Sequence, residues 1–205
     1  MRTRVELAEA LGDPETASFW SARIRQTLAG LRDKLWLRDL GRFAHYVDEH
    51  GKPRLDAQYH TFLYTYLWDA MDERDGYASL RHLRDRLTGP NGEVYCSNNF
   101  PNHTPGTWGM QAGAAQQPWA AWTFSKAGRR NDTWRPLKAV SDWVMDANHR
   151  GAWPEISVEP TPSYFTPPAG LFVAAVCEAL FGLHVDAPSG VLTVSPSFPD
   201  HWPSA

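Results

Sequence analysis

The sequence predicts an all-α protein, a curved double layer of helical hairpins with a short β segment near its C-terminal end. Three observations lead there. About seven stretches carry apolar residues at spacings of three and four, the period of a helix with a buried side. The connections between them alternate short and long, and antiparallel neighbours then send every long connection out at one face. Stretches with a single apolar stripe also alternate with stretches apolar on most sides, as an outer layer wrapped on an inner one requires.

Residues 3–11 carry Val5, Leu7, Ala8 and Leu11 and stop at Gly12, a glycine suited to the position after a helix. Asp13-Pro14 restarts the helix at once, with Asp13 as N-cap and Pro14 in the first helical position. Over residues 15–36, Trp20, Ile24, Leu28, Leu31 and Leu35 make one buried face, while Arg23, Arg25, Arg32 and Lys34 make a solvated one. Periodicity then fails over residues 37–57, where Gly41, Asp48, Gly51 and Pro53 punctuate a long loop. Residues 58–72, with Tyr59, Phe62, Leu63, Tyr66, Leu67 and Ala70, read as an inner helix. After a turn over residues 73–76, Leu80, Leu83 and Leu87 mark an outer helix over 77–88.

A second long loop covers residues 89–108. The small-residue helix that follows, 109–126, contains Pro118, which predicts a kink. A turn at Gly128 leads to a helix over 132–147, with Trp134, Leu137, Val140 and Val144 on one face. The third long loop, 149–168, hands over to an apolar helix over 169–183. Val191-Leu192-Thr193-Val194 after Pro188-Ser189-Gly190 is a strand that needs a partner the pattern does not locate. The expected division is a helical domain over residues 1–186 and a C-terminal β-structure or tail over 187–205.

Composition excludes several functions. A net charge of −3 without a clustered basic surface gives no reason to expect nucleic acid. No apolar stretch reaches the ~18 residues of a membrane span, and the first residues carry no apolar signal region, so the default expectation is a cytoplasmic chain without a membrane partner. Two cysteines make no disulfide framework, and Cys177, inside an apolar run, is expected to be a buried free thiol. No His/Cys pair has zinc-ligand spacing and no glycine-rich phosphate loop is present, so neither metal nor cofactor is expected.

Long loops on a rigid scaffold carry function. Glu155, between Trp153-Pro154 and Ile156 at the mouth of the third loop, is the carboxylate best set for chemistry. Carboxylates, amides and aromatics share these loops, as a neutral polyol requires: aromatic faces for its rings, hydrogen bonds for its hydroxyls, carboxylates for proton transfer. Asp56 and Asp48 are the other carboxylates considered for acid work, although Asp56 also stands where an N-cap belongs. His103 in Asn98-Asn99-Phe100-Pro101-Asn102-His103 is a candidate for substrate contact.

Three places resemble the six-hairpin, or (α/α)6-barrel, glycoside hydrolases, the group of glucoamylases and trehalases. One is Leu7-Ala8-Glu9-Ala10-Leu11-Gly12-Asp13 with Ala17, then Leu35-Trp36, Gly41-Arg42-Phe43, Asp48 and Gly51, which looks like a middle hairpin of the barrel. Another is Gly151-Ala152-Trp153-Pro154-Glu155, similar to the segment whose glutamate serves these enzymes as catalytic base. The last is the apolar helix from near Gly170 followed by Leu192-Thr193-Val194-Ser195-Pro196-Ser197-Phe198-Pro199-Asp200-His201-Trp202, which looks like the exit from the barrel. The resemblance implies a partial (α/α)6 toroid, the C-terminal part of a twelve-helix barrel, and a general acid that lies ahead of this sequence.

On that resemblance the expected activity is hydrolysis of an oligo- or polysaccharide by an acid/base carboxylate pair, inverting, with Glu155 as general base and Asp56 as an in-chain acid. Trp108, Gln111, Trp119, Trp153 and Tyr164 would line a sugar subsite. Two alternatives stand beside it. One is a non-catalytic carbohydrate-binding module, whose exposed inner helices would self-associate or take a partner. The other is a polysaccharide lyase with His103 and Tyr164 in the proton transfers.

Overall fold

The computed structural model describes residues 1–55, 58–96, 112–147, 151–156 and 164–203, without the side chains of residues 58–62. It is mostly helical, with seven α-helices and a few short strands among the described residues. The chain divides into two compact units, Met1–Arg54 and Leu55–Ala205.

In the first unit, α1 (Arg2–Ala10) and α2 (Pro14–Leu35) form a helical hairpin. The turn between them follows from its residues. Gly12 takes φ 68°, the Asp13 N–H reaches the Ala8 carbonyl at 2.8 Å and the Gly12 N–H reaches Glu9 at 3.0 Å, so the last carbonyls of α1 are satisfied. The Asp13 carboxylate then accepts the Thr16 N–H at 3.0 Å and caps α2, with Pro14 in its first turn, as the sequence predicts. The expected stripe of α2 is present: Ala17 is buried, and Trp20, Ile24, Leu28, Leu31 and Leu35 are half-buried.

Two small hairpins lie within what the sequence reads as a long loop over residues 37–57. β1 (Trp36–Leu37) pairs antiparallel with β2 (Arg42–Phe43), and β3 (Tyr46–Val47) with β4 (Pro53–Arg54). Runs of two residues are too short to show a period of two, so turn chemistry is the only sequence signal, and it is there: Gly41 (φ 60°) and Gly51 (φ 75°) each close a turn in the left-handed region. The first hairpin is fixed to the end of α2 by the Ala44 N–H on the Leu35 carbonyl at 2.7 Å and by the edge-on Trp36–Phe43 pair.

The second unit holds the main core. α3 (Gln58–Leu67) and α4 (Glu73–Arg86) pack together, as do α5 (Gln116–Lys126) and α6 (Arg130–Met145). α5 also packs on α3 and on α7 (Thr166–Ala175). α3, α5 and α7 are thus neighbours in sequence order, and α4 and α6 lie against α3 and α5. Burial follows this layering. α4 buries one stripe, with Leu80, Leu83 and its C-cap Leu87 fully inside, each contributing about 1.5–3 kcal/mol relative to exposure. α6 buries Leu137, Val140 and Val144, whereas α5 is buried on most sides.

Several boundaries differ from the sequence reading. The helix expected over 58–72 ends at Leu67, because Asp69 turns into the left-handed region (φ 55°) and the Ala70 N–H bonds the Thr65 carbonyl at 2.7 Å. The Lys126 ammonium completes this end, donating to the Tyr66 and Leu67 carbonyls at 2.8 and 3.0 Å and pairing with Asp69. α4 starts four residues earlier than the expected 77, capped by Asp72 on the Asp75 N–H at 2.8 Å. Gly76, read as a turn residue, sits inside α4 because the Tyr66 ring occupies the place of its side chain. α5 begins at Gln116 rather than 109, so Pro118 falls in its first turn, where no N–H is required, and the expected kink has no cause there. Pro136, which the reading passed over, lies inside α6.

The helix expected over 169–183 is α7 followed by a π-helical turn, Val176–Leu180. Its apolar residues are not all inside: Val173, Cys177 and Phe181 fall on one exposed face, which corrects the expectation of a buried Cys177. Composition alone cannot distinguish a helix apolar all round and enclosed from one left open on a side.

The strand at Val191–Val194 (β6) finds its partner in β5 (Leu183–Asp186), from Leu183 opposite Val194 to Asp186 opposite Val191. Gly182 (φ 65°) makes the fold-back: a Cβ there would stand 1.9 Å from the Ser195 carbonyl oxygen. Beyond β6, Phe198 and Trp202 pack on the cluster of Ala121, Leu137, Ala175 and Leu180, and Asp200 is held by Asn131 and Arg130 of α6.

Candidate functional site

Glu155 lies on an extended segment, residues 152–156, tied on two sides. The Ala114 N–H donates to the Glu155 carbonyl at 2.8 Å, and Gly113 bridges Ile156 antiparallel, just ahead of α5. The Phe165 N–H donates to the Trp153 carbonyl at 3.0 Å, and Phe165 is the N-cap of α7. The N-terminal ends of α5 and α7 therefore meet at the segment that carries Glu155. At the other end of the layer Lys126, the last residue of α5, bonds the end of α3, so the three helices run in the same direction.

The α5 side of this anchor is built by two buried glutamines. Gln117 accepts the Val94 N–H at 2.8 Å and donates to the Val94 and Gly113 carbonyls at 3.1 and 2.9 Å. Gln116 accepts the Gly113 N–H at 2.9 Å and lies beside the buried Cys96 thiol, whose pKa burial pushes up. Residues 93–96, the start of α5 and the Glu155 segment are joined by these bonds. Sequence reading missed both glutamines; two consecutive polar residues inside a small, apolar helix were the available signal.

Glu155 is half-buried, and Trp153, two residues before it, lies against Phe172 of α7 with ring centroids 5.4 Å apart. Trp119 stands elsewhere on α5, edge-on to Tyr64 and Trp68 and 5.0 Å from Trp122. Tyr164 is 86% exposed. Trp119 and Trp153 thus have different aromatic neighbours, and Tyr164 precedes the residue that bonds the Trp153 carbonyl. Asp56, His103, Trp108 and Gln111 lie outside the described residues.

Asp48, considered for acid work, anchors the second hairpin of the first unit. Its carboxylate accepts the His50 and Lys52 N–H groups at 3.0 and 2.8 Å and pairs with the Arg54 guanidinium at 2.8 Å. The bond from the Lys52 N–H, then Arg54 and His50, hold its carboxyl below the ordinary carboxylate range. In the described structure these bonds give Asp48 the role of anchor for the β3–β4 turn.

Among the described residues no three His, Cys, Asp or Glu side chains gather in a way that would hold a metal ion, and no helix is long and apolar enough to cross a membrane. No protein-family model matches the chain, and no curated protein sequence matches it.

Proposed function

We propose that this chain belongs to a glycoside hydrolase in which Glu155 is the general base of an inverting hydrolysis. The scaffold of this reading is a partial (α/α)6 toroid, with α3, α5 and α7 as inner helices and α4 and α6 outside them. The observation that carries the proposal is the fixed segment of Glu155 at the meeting N-termini of α5 and α7. The connections α4–α5 and α6–α7 both lead into that end of the helices, and functional residues gather on such connections.

In this mechanism the Glu155 carboxylate takes a proton from water as the water attacks the anomeric carbon, and an acid on the opposite side of the sugar protonates the leaving oxygen. The carboxyl groups then stand about 6.5–9.5 Å apart to admit the water, so the acid belongs to a different loop. The double backbone anchoring of residues 153–156 supplies the positional precision that proton transfer requires. Glu155→Gln in the active full-length protein tests it: kcat on oligosaccharide is expected to fall by about 10²–10⁴ with KM little changed. Hydrolysis retained at the wild-type rate removes the assignment.

A further inference from the structure

Outside the Glu155 segment, the second unit carries a run of neighbouring aromatics that starts at Trp122, packed on the core cluster, and reaches the surface at Trp68. Trp68 stacks on Tyr64 with centroids 4.9 Å apart and planes at 27°. Trp119 stands edge-on to both, and Trp122 adjoins Trp119. Trp68 is nevertheless 53% exposed, and Trp119 and Trp122 are half-buried. The backbone that presents Trp68 is fixed rather than loose: Asp69 follows in the left-handed region and Lys126 bonds the carbonyls of Tyr66 and Leu67 as well as the Asp69 carboxylate. Tyr64 stacks on the indole and Trp119 adjoins both rings, so Trp68 is held in a set orientation while more than half of the residue stays exposed.

Polar groups edge this surface. The Trp122 Nε1–H donates to the Glu178 carboxylate at 3.2 Å, and Asp69, the residue after Trp68, pairs with Lys126. Acidic groups beside the rings disfavour phosphate-bearing ligands, because the electrostatic term of nucleic-acid binding needs clustered cations. Flat apolar rings with carboxylates at their edges suit a neutral polyol instead: the C–H face of a pyranose lies on an indole, and its hydroxyls donate charge-assisted hydrogen bonds to carboxylate oxygens. Preorganised aromatics also bind without a large ordering cost.

We propose that Trp68, Trp119 and Trp122 form a stacking platform for the pyranose units of an oligosaccharide, with Glu178 and Asp69 accepting its hydroxyls. This rests on the carbohydrate reading above but names a binding surface apart from the base. Binding of maltohexaose, cellohexaose and mannohexaose to the full chain is measured by titration calorimetry, with the Trp122 indole N–H followed by NMR. At least one hexasaccharide is expected to bind and to shift that N–H signal. Trp68→Ala is expected to weaken binding at least tenfold, Trp68→Phe to restore part of it, and Glu178→Ala to weaken it several-fold.

Absence of binding by all three sugars, or equal affinity in Trp68→Ala, overturns the platform. If Trp68→Ala lowers the melting temperature, Glu178→Ala decides, since Glu178 is exposed and its removal leaves the core intact. Loss of binding in these variants with hydrolysis abolished only by Glu155→Gln separates the two proposals. Hydrolysis retained in Glu155→Gln, with binding lost in Trp68→Ala, removes the base and leaves the platform.

Discussion

Replacing Gly76 by alanine sets two effects against each other. In the interior of a helix, alanine is favoured over glycine by roughly 0.8–1.0 kcal/mol. At Gly76, however, an added Cβ would lie 2.0, 2.3 and 2.9 Å from three ring carbons of Tyr66, including the one that attaches the ring. Tyr66 is 4% exposed, with the Lys126 ammonium 5.1 Å from its centroid, so the buried ring has little room to move away from an added methyl. Overpacking of this kind costs about 1–3 kcal/mol, enough to cancel or reverse the propensity gain. We expect Gly76→Ala to destabilise the second unit by up to about 2 kcal/mol, lowering its melting temperature by about 2–4 °C per kcal/mol, as read by circular dichroism. The same substitution made in a Tyr66→Leu background should be neutral or stabilising, because the ring that opposes the methyl is gone. A Gly76→Ala protein that melts above wild type would refute the packing of α3 on α4.

Other consequences follow from single contacts. Gln117→Leu removes both partners of Val94, and each backbone group left unpaired costs about 1–3 kcal/mol; hydrogen exchange at the Val94 amide should lose its protection, and unchanged protection would contradict the glutamine anchor. Lys126→Met keeps the aliphatic stem but strips the charge from the end of α3, for an expected loss of about 1–2 kcal/mol in urea denaturation. For Asp48 the folded pKa is depressed, so its contribution is present above the unfolded value and lost as pH falls through the folded one. Asp48→Asn should therefore flatten the acid side of the stability profile of residues 1–54, and an unchanged profile would count against the turn.

The helices were legible because their causes are local. Asp13-Pro14 and Gly12 state the break between α1 and α2 within three residues, and Leu80, Leu83 and Leu87 state the buried side of α4. Boundaries failed where the cause was tertiary. Gly76 reads as a turn until the Tyr66 ring is seen in its place, and α3 ends at a left-handed Asp69 that depends on Lys126, far away in sequence. The β5–β6 pair was half legible: Val191–Val194 has β character, whereas Leu183-His184-Val185-Asp186 continues an apolar helix and is made a strand by the fold-back at Gly182. At the candidate site the sequence singled out Glu155 from its neighbours, but the glutamines that brace its segment carry no motif.

The central claim, that Glu155 activates water, is tested most directly by removing the carboxylate and supplying an anion that needs no base. Glu155→Ala in the active full-length protein should lose hydrolysis. With an activated glycosyl substrate and azide it should form the glycosyl azide of inverted configuration, seen in the anomeric region of the proton NMR spectrum. Hydrolysis that persists in Glu155→Ala without azide, or a glycosyl azide of retained configuration, would contradict it.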